Sequence, residues 1–115
     1  SLYTARAGIK DAKINTKLNE MMTAQLQDGI KTEAFTALKN YQLNIKKIEL
    51  ADKTVQQAKE NQRIMKNRFT GEVSVFSDLL DADAQVFQAE LNLINAKCDA
   101  QVAYYKYLKA IGQLN

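Results

Sequence analysis

Two long runs of helix-period sequence meet at Phe69-Thr70-Gly71-Glu72-Val73-Ser74, and the chain is organised around that meeting point. In the second run, Leu80, Ala84, Phe87, Leu91, Ile94, Cys98, Gln101, Tyr105, Leu108 and Gly112 alternate spacings of four and three, a coiled-coil seam with one polar interruption. A second seam runs beside it through Leu79, Ala82, Val86, Ala89, Leu93, Ala96, Ala100, Ala103, Tyr107, Ala110 and Leu114. In heptad geometry the two lie roughly 150° apart around the axis. Such a helix needs neighbours on two nearly opposite sides, with alanine at every seventh residue letting one backbone come close. Between the seams lie a polar band of Asp78, Asp81, Gln85, Gln88, Asn92, Asn95, Asp99, Lys106 and Lys109 and a narrower one of Asp83, Glu90 and Lys97. A wall built of these helices is wet on both faces, as a water-filled tube is; an ordinary bundle, with alanine present as a good helix former, is the plainer reading.

The first run is less regular. Ile14, Leu18, Met22, Leu26 and Ile30 recur at spacings of four, and the pattern continues through Ala34, Ala37 or Leu38, Tyr41, Ile45, Ile48, Ala51, Val55, Ala58, Gln62, Met65 and Phe69. Asp28-Gly29 inside it is a turn signal, so a break there is the structural alternative. Against a break stands the immediate return of the period, since a lone helical glycine costs only about 1 kcal/mol relative to alanine. Leu2, Tyr3 and Thr4 read as a strand end or a frayed first turn. At the other boundary, Gly71 can close a helix in the left-handed conformation and Ser74 can cap the next one. The expected fold is all-α, a long antiparallel helical hairpin: 1–7 a strand end or frayed turn, 8–69 a long helix, 70–74 the tip, 75–113 the second helix.

Composition narrows the function. The 115 residues include no proline, no tryptophan, no histidine and one cysteine, Cys98. Without histidine the commonest acid–base group near neutral pH and the commonest zinc ligand are missing. No catalytic centre, cofactor or metal site is expected; Asp78 and Asp81 find no convergent third acid. A single cysteine forms no internal disulfide, and Cys98 reads as a small buried seam residue. Tyr104, Tyr105 and Tyr107 read as packing residues near the helix end.

Charge is uneven: residues 1–70 carry 13 Lys/Arg against 7 Asp/Glu, and residues 71–115 carry 3 against 6. A basic arm therefore faces an acidic one. The basic residues are mostly lysines spread around a helix, which argues against nucleic acid. No apolar stretch approaches the roughly 20 residues that span a bilayer. Ser1-Leu2-Tyr3-Thr4 leads into mixed polar sequence without the apolar core of a secretory signal, as a mature or partial exported chain also would.

Asn67-Arg68-Phe69, the glycine turn, Ser77-Asp78-Leu79-Leu80-Asp81-Ala82 and the alanine run toward Ala110-Ile111-Gly112 resemble the C-terminal repeat of the outer membrane efflux protein family, the TolC-like channels. Gly29-Ile30-Lys31-Thr32-Glu33, and Ala58 and Asn61 ahead of Arg68, resemble the long helix before that family's turn. One departure is that the family often has glycine at the place of Glu72, one residue after Gly71. The resemblance covers essentially the whole chain and implies a segment of a homotrimeric outer-membrane channel, the periplasmic hairpin of its second half, lying in the periplasm without itself crossing the membrane. It further implies a tip that docks with a periplasmic adaptor, and through it an inner-membrane pump, for export of small molecules or proteins.

Carried over residue by residue, Asp78 and Asp81 match family aspartates near the channel entrance, where three copies form acidic rings. Arg68 is the expected brace of the closed mouth. Thr70, Gly71, Glu72, Val73 and Ser74 are the expected adaptor contacts, with Val75 and Phe76 adding apolar surface. The packing seams are Leu80, Ala84, Phe87, Leu91, Ile94 and Cys98 on one side and Ala82, Ala89, Ala96, Ala103 and Ala110 on the other. The competing reading is a non-channel structural or adaptor hairpin that binds a protein through its tip. A channel stave packs both seams, whereas an isolated hairpin is expected to leave the Ala82 series exposed.

Overall fold

A computed structural model of the chain describes residues 1–69, 71 and 73–113. Helix α1 runs Leu2–Arg68 and helix α2 runs Val73–Gly112. They fold back on each other as an antiparallel hairpin with principal extents of 105 × 21 × 13 Å. At about 1.5 Å per residue, the 67 residues of α1 span the full length and the 40 of α2 somewhat over half of it.

The ends of α1 differ from the sequence reading. The helix begins at Leu2 instead of Gly8, and residues 2–7 are helical, neither strand nor frayed. Ser1 accounts for this: its side chain accepts a hydrogen bond from the Thr4 backbone N–H at 3.3 Å, which caps the first turn. Asp28-Gly29 does not break the helix. Gly29 has no positive φ, and the Thr32 hydroxyl donates to the Asp28 carbonyl at 2.9 Å within the continuous helix. α2 starts at Val73, so Ser74 lies inside its first turn and is not the residue that precedes it.

Three cross-helix pairs set the register. Gln62 donates to Asp83 at 2.7 Å, Lys59 meets Glu90 at 3.5 Å, and the Tyr41 and Tyr104 rings lie 5.4 Å apart. With that register the buried and half-buried positions of α1 form two interleaved heptad rows: Ala34, Tyr41, Ile48, Val55 and Gln62, and Ala37, Asn44, Ala51, Ala58 and Met65. The facing rows of α2 are Leu79, Val86, Leu93, Ala100 and Tyr107, and Ala82, Ala89, Ala96, Ala103 and Ala110. Counted from that register, Val55 falls level with Ala89, Ile48 with Ala96, Tyr41 with Ala103, and Val86, Leu93 and Tyr107 with Ala58, Ala51 and Ala37, so each layer pairs a larger residue with a small one. This size alternation, with a period of seven and one larger and one smaller row on each helix, matches knobs-into-holes packing.

The seam that packs inside the hairpin is therefore the alanine one, the reverse of the expectation for a lone hairpin. Ala82, Ala103 and Ala110 are only 1–2% exposed, whereas Leu80, Phe87 and Ile94 on the other seam are 52–65% exposed. Close approach of two backbones needs small residues, and the larger side chains of the Leu80 series would hold the helices apart. Cys98, read as buried, is exposed because it lies on that outer seam. In α1, Asn44 is buried and Ile45, read as the inward residue, is 37% exposed. The heptad set by Ala37 and Ala51 decides which of the two faces inward, and the Asn44 side chain bonds its own helix, donating to the Asn40 carbonyl at 2.8 Å.

Among the described residues nothing packs on α1 beyond Ile30 toward its N-terminus, and residues 1–29 are exposed throughout. The inward rows dissolve there: Arg6, Lys13, Glu20 and Gln27 continue one, and Thr16 and Thr23 stand in the other with their hydroxyls bonded to the Ala12 and Asn19 carbonyls. The apolar residues of this overhang, Ile14, Leu18, Met21 and Met22, turn to other faces and are 49–66% exposed.

Enlarging a knob on the alanine side is expected to force the helices apart. Ala103→Leu should lower stability by about 1–3 kcal/mol in urea unfolding followed by circular dichroism. Ala24→Leu, on the exposed overhang and of similar helix propensity, should leave the midpoint unchanged within error; equal effects of the two would contradict the packing described.

Candidate functional site

The tip is built by two backbone choices. Phe69 takes an extended conformation at φ −67° and ψ 116°, which stops α1, and its N–H reaches back to the Lys66 carbonyl at 3.2 Å. Gly71 then adopts φ +87°, the left-handed region that its missing Cβ permits, and turns the chain into α2. Across the turn the Phe69 and Phe76 rings lie 5.9 Å apart, tilted, and close the end of the hairpin while each stays more than 40% exposed. Of the expected adaptor contacts, Gly71 is exposed at the apex. Thr70 and Glu72 lie outside the described residues, as do the side chains of Val73 and Ser74. Val75 is half-buried.

Arg68 ends α1 with Lys66 nearby, the basic termination that the helix dipole favours. It is exposed, as are Asp78 and Asp81. The heptad register sets Asp78 on the edge of α2 that faces Arg68, and Asp81 a further step around the polar band. Heptad position therefore places Arg68 and Asp78 along one edge of the hairpin and Asp81 on another face of α2, and among the described residues no ion pair joins them. Every residue of the polar band, from Asp78 to Lys109, is exposed.

Behind the tip on the Asp78 edge lies an open groove lined by Thr54, Gln57, Ala58, Asn61, Gln85, Gln88, Ala89 and Asn92, a surface of amides and hydroxyl without a charge. Gln88 donates to Asn92 at 2.9 Å along it. The opposite edge is charged. Asp83 accepts from Gln62 and Glu90 pairs with Lys59. From the sequence alone Asp83 and Glu90 fall only in a solvent band; for Glu90 the signal for its partner is the opposite sign of Lys59 on the antiparallel arm, whereas Asp83 meets the neutral Gln62. On the outer face of α1, Arg63 makes a two-point contact with Glu60 at 2.6 and 3.0 Å, which holds the Glu60 carboxyl below and the Arg63 guanidinium above their ordinary ranges.

The remaining sequence-derived site residues divide cleanly. Ala82, Ala89, Ala103 and Ala110 are buried against α1 and Ala96 is half-buried, while Leu80, Ala84, Phe87, Leu91, Ile94 and Cys98 form an uncovered stripe. Tyr104 and Tyr105 rings lie 5.9 Å apart at the far end, where Tyr41, Ile45, Ile48, Lys97, Ala100 and Gln101 border a shallow groove. Among the described residues no group of three His, Cys, Asp or Glu side chains converges as a metal site, and no helix is long and apolar enough to cross a membrane.

The arrangement defines a class: an elongated, antiparallel coiled-coil hairpin with a charged tip and one uncovered apolar stripe on its shorter helix. No known family model, curated protein or solved structure matches the chain.

The left-handed turn gives a direct test of the tip. Gly71→Ala should destabilise the hairpin by about 1–2 kcal/mol, read as a lower urea midpoint, and Gly71→Asn should lose less because asparagine tolerates that region. Acidification should release the Glu60–Arg63 contact. A carboxyl whose folded pKa is lowered contributes above its unfolded pKa and loses that contribution as pH falls through the folded value. Glu60→Gln should therefore flatten the helicity change at acid pH in circular dichroism, on the acid side of the ordinary glutamate range.

Proposed function

We propose that this hairpin is a stave in the periplasmic tunnel wall of a trimeric outer-membrane channel of the TolC-like, outer membrane efflux class, with its tip at the entrance. The observation that carries the reading is the double seam of α2. One side is filled by α1, and the other, from Leu80 to Leu108, stays apolar and uncovered over most of the helix. A helix that needs two neighbours and has polar bands between them is suited to a wall with water on both faces. The sequence around the turn supports the same reading: Arg68-Phe69, the glycine turn and Ser77-Asp78-Leu79-Leu80-Asp81-Ala82.

In this role the chain does no covalent chemistry. Its packed seam seals the wall, and the uncharged groove and polar band face water. Asp78 and Asp81, repeated by symmetry, form acidic rings at the mouth that attract cations and set ion preference. Arg68 braces the closed entrance, since its planar donors suit carboxylates and carbonyls of neighbouring hairpins. The exposed turn around Gly71 is what a periplasmic adaptor, and through it an inner-membrane pump, can reach. The exported cargo is small molecules or proteins.

A second reading has its own supporting observation. The alanine seam is filled within the chain, so the hairpin has an internal core without any wall, as a structural or adaptor hairpin presenting its tip to a protein would.

The two separate in planar-bilayer recordings of the intact protein. As a channel, the Asp78→Ala/Asp81→Ala variant should lose most of the dependence of conductance on calcium or magnesium seen in the parent. Conductance that responds identically in both would remove the acidic-ring role, and a protein that forms no pores at all would leave the tip-presenting hairpin.

A further inference from the structure

The unpartnered end of α1 carries its basic residues on one face. Arg6, Lys10, Lys13 and Lys17 follow spacings of four, three and four, which at about 100° per residue holds all of them within roughly 60° of the helix circumference. All are exposed. The nearby acids do not neutralise them: Asp11 stands on another side of the helix, Glu20 comes about one turn beyond Lys17, and among the described residues neither forms an ion pair with the stripe. The stripe also works against its own helix. Arg6–Lys10 and Lys13–Lys17 are like charges at i,i+4 and Lys10–Lys13 at i,i+3, arrangements that oppose helix formation, in the segment that α2 does not reach. By contrast, Glu60 and Arg63 join opposite signs at i,i+3.

Helix packing does not account for the stripe. Arg6 and Lys13 stand in the continuation of an inward heptad row, so a helix extending the coiled-coil core would bury their charges. Apolar side chains border the stripe instead: Ile9, 58% exposed, on one flank, and Ile14 and Met21, 49% and 56% exposed, on the other. Three of the four cations are lysines, point charges on flexible stems that suit a mobile anionic surface better than a fixed bidentate acceptor. Cations with apolar residues on both flanks, on a helix without other contacts, are the composition of a segment that lies against anionic lipid headgroups.

We propose that this face of the overhang docks on an anionic lipid bilayer, with Arg6 and the three lysines among the phosphate headgroups and Ile9, Ile14 and Met21 against the acyl boundary. The proposal goes beyond the stave reading and does not rest on it. The overhang is the end of the molecule farthest from Gly71, along a rod 105 Å long, so a membrane contact there leaves the tip free for a protein partner. Headgroup phosphates offset the repulsion between the cations, and docking therefore stabilises the overhang helix.

Co-sedimentation of the full 115-residue chain with lipid vesicles tests it. Vesicles of mixed phosphatidylcholine and phosphatidylglycerol should carry the chain down, vesicles of phosphatidylcholine alone should not, and added salt should release it. Lys10→Gln/Lys13→Gln/Lys17→Gln should weaken binding at least about tenfold. Lys39→Gln/Lys46→Gln/Lys53→Gln removes the same charge from exposed lysines of the paired segment and should bind as the parent does. Circular dichroism should show the first variant at least as helical as the parent, because it relieves like-charge contacts, so lost binding is not lost fold. Adding the mixed vesicles should slow amide exchange in the overhang and leave the stretch between Ala34 and Val55 unchanged. Failure to bind the mixed vesicles would overturn the proposal, as would equal binding to phosphatidylcholine alone or equal loss in the two triple variants. Soluble polyglutamate that binds as tightly as the mixed vesicles would replace the bilayer with an acidic polypeptide. None of these results bears on the conductance test, so the two readings fall separately.

Discussion

The structure depends on how closely two backbones can approach. Of the eight apolar residues that are buried among the described positions, six are alanines, and alanine contributes little transfer free energy, about 0.8 kcal/mol per buried methyl-sized group. What it supplies instead is proximity: small side chains on each helix let larger residues of the other seat against the backbone, where dispersion contacts accumulate. The pairing is accordingly specific in register and modest in buried area. A hairpin held this way keeps its large apolar residues for other surfaces.

The flanking charges reinforce that register. On one edge the heptad sets Lys66 opposite Asp83, Lys59 opposite Glu90 and Asp52 opposite Lys97; on the other it sets Arg68 opposite Asp78 and Lys47 opposite Asp99. Each of these five juxtapositions joins opposite signs, and the reversal at Asp52–Lys97 penalises a slip that would bring lysine against lysine. One of them, Lys59–Glu90, closes to 3.5 Å between half-exposed side chains, an arrangement worth little singly. Their value lies in selection among registers, to which the buried Asn44 among alanines also contributes.

Much of this was legible beforehand. The hairpin, its tip at Gly71 and both seams of α2 follow from spacing, because α2 keeps its period without interruption. What spacing could not assign was which seam faces α1. Hydrophobicity favours Leu80, Phe87 and Leu91 as the core, while sterics favour Ala82, Ala89 and Ala103, and a pattern of apolar positions does not weigh one against the other. The same limit misplaced Ile45: as the more apolar residue it outranked Asn44, yet its neighbour occupies the inward heptad position. The start of α1 was missed because Leu2-Tyr3-Thr4 has strand-like composition, and a single hydroxyl at Ser1 outweighs it. The opposite signs of Lys59 and Glu90 are legible once the two arms are aligned antiparallel, whereas the Gln62–Asp83 bond joins a neutral amide to an acid and leaves no sign pattern to read.

The overhang of α1 gives the molecule a gradient of persistence. Beyond the first turn, the amides from Ile30 back toward the N-terminus are held only by their own helix, and a helix without tertiary support opens and recloses locally. Amide protons there exchange with solvent through that local fraying, whereas those between Ala34 and Val55 wait for the two helices to separate. Along one unbroken rod of hydrogen bonds, the chain thus contains a segment that unwinds by itself and a segment that unwinds only with its partner.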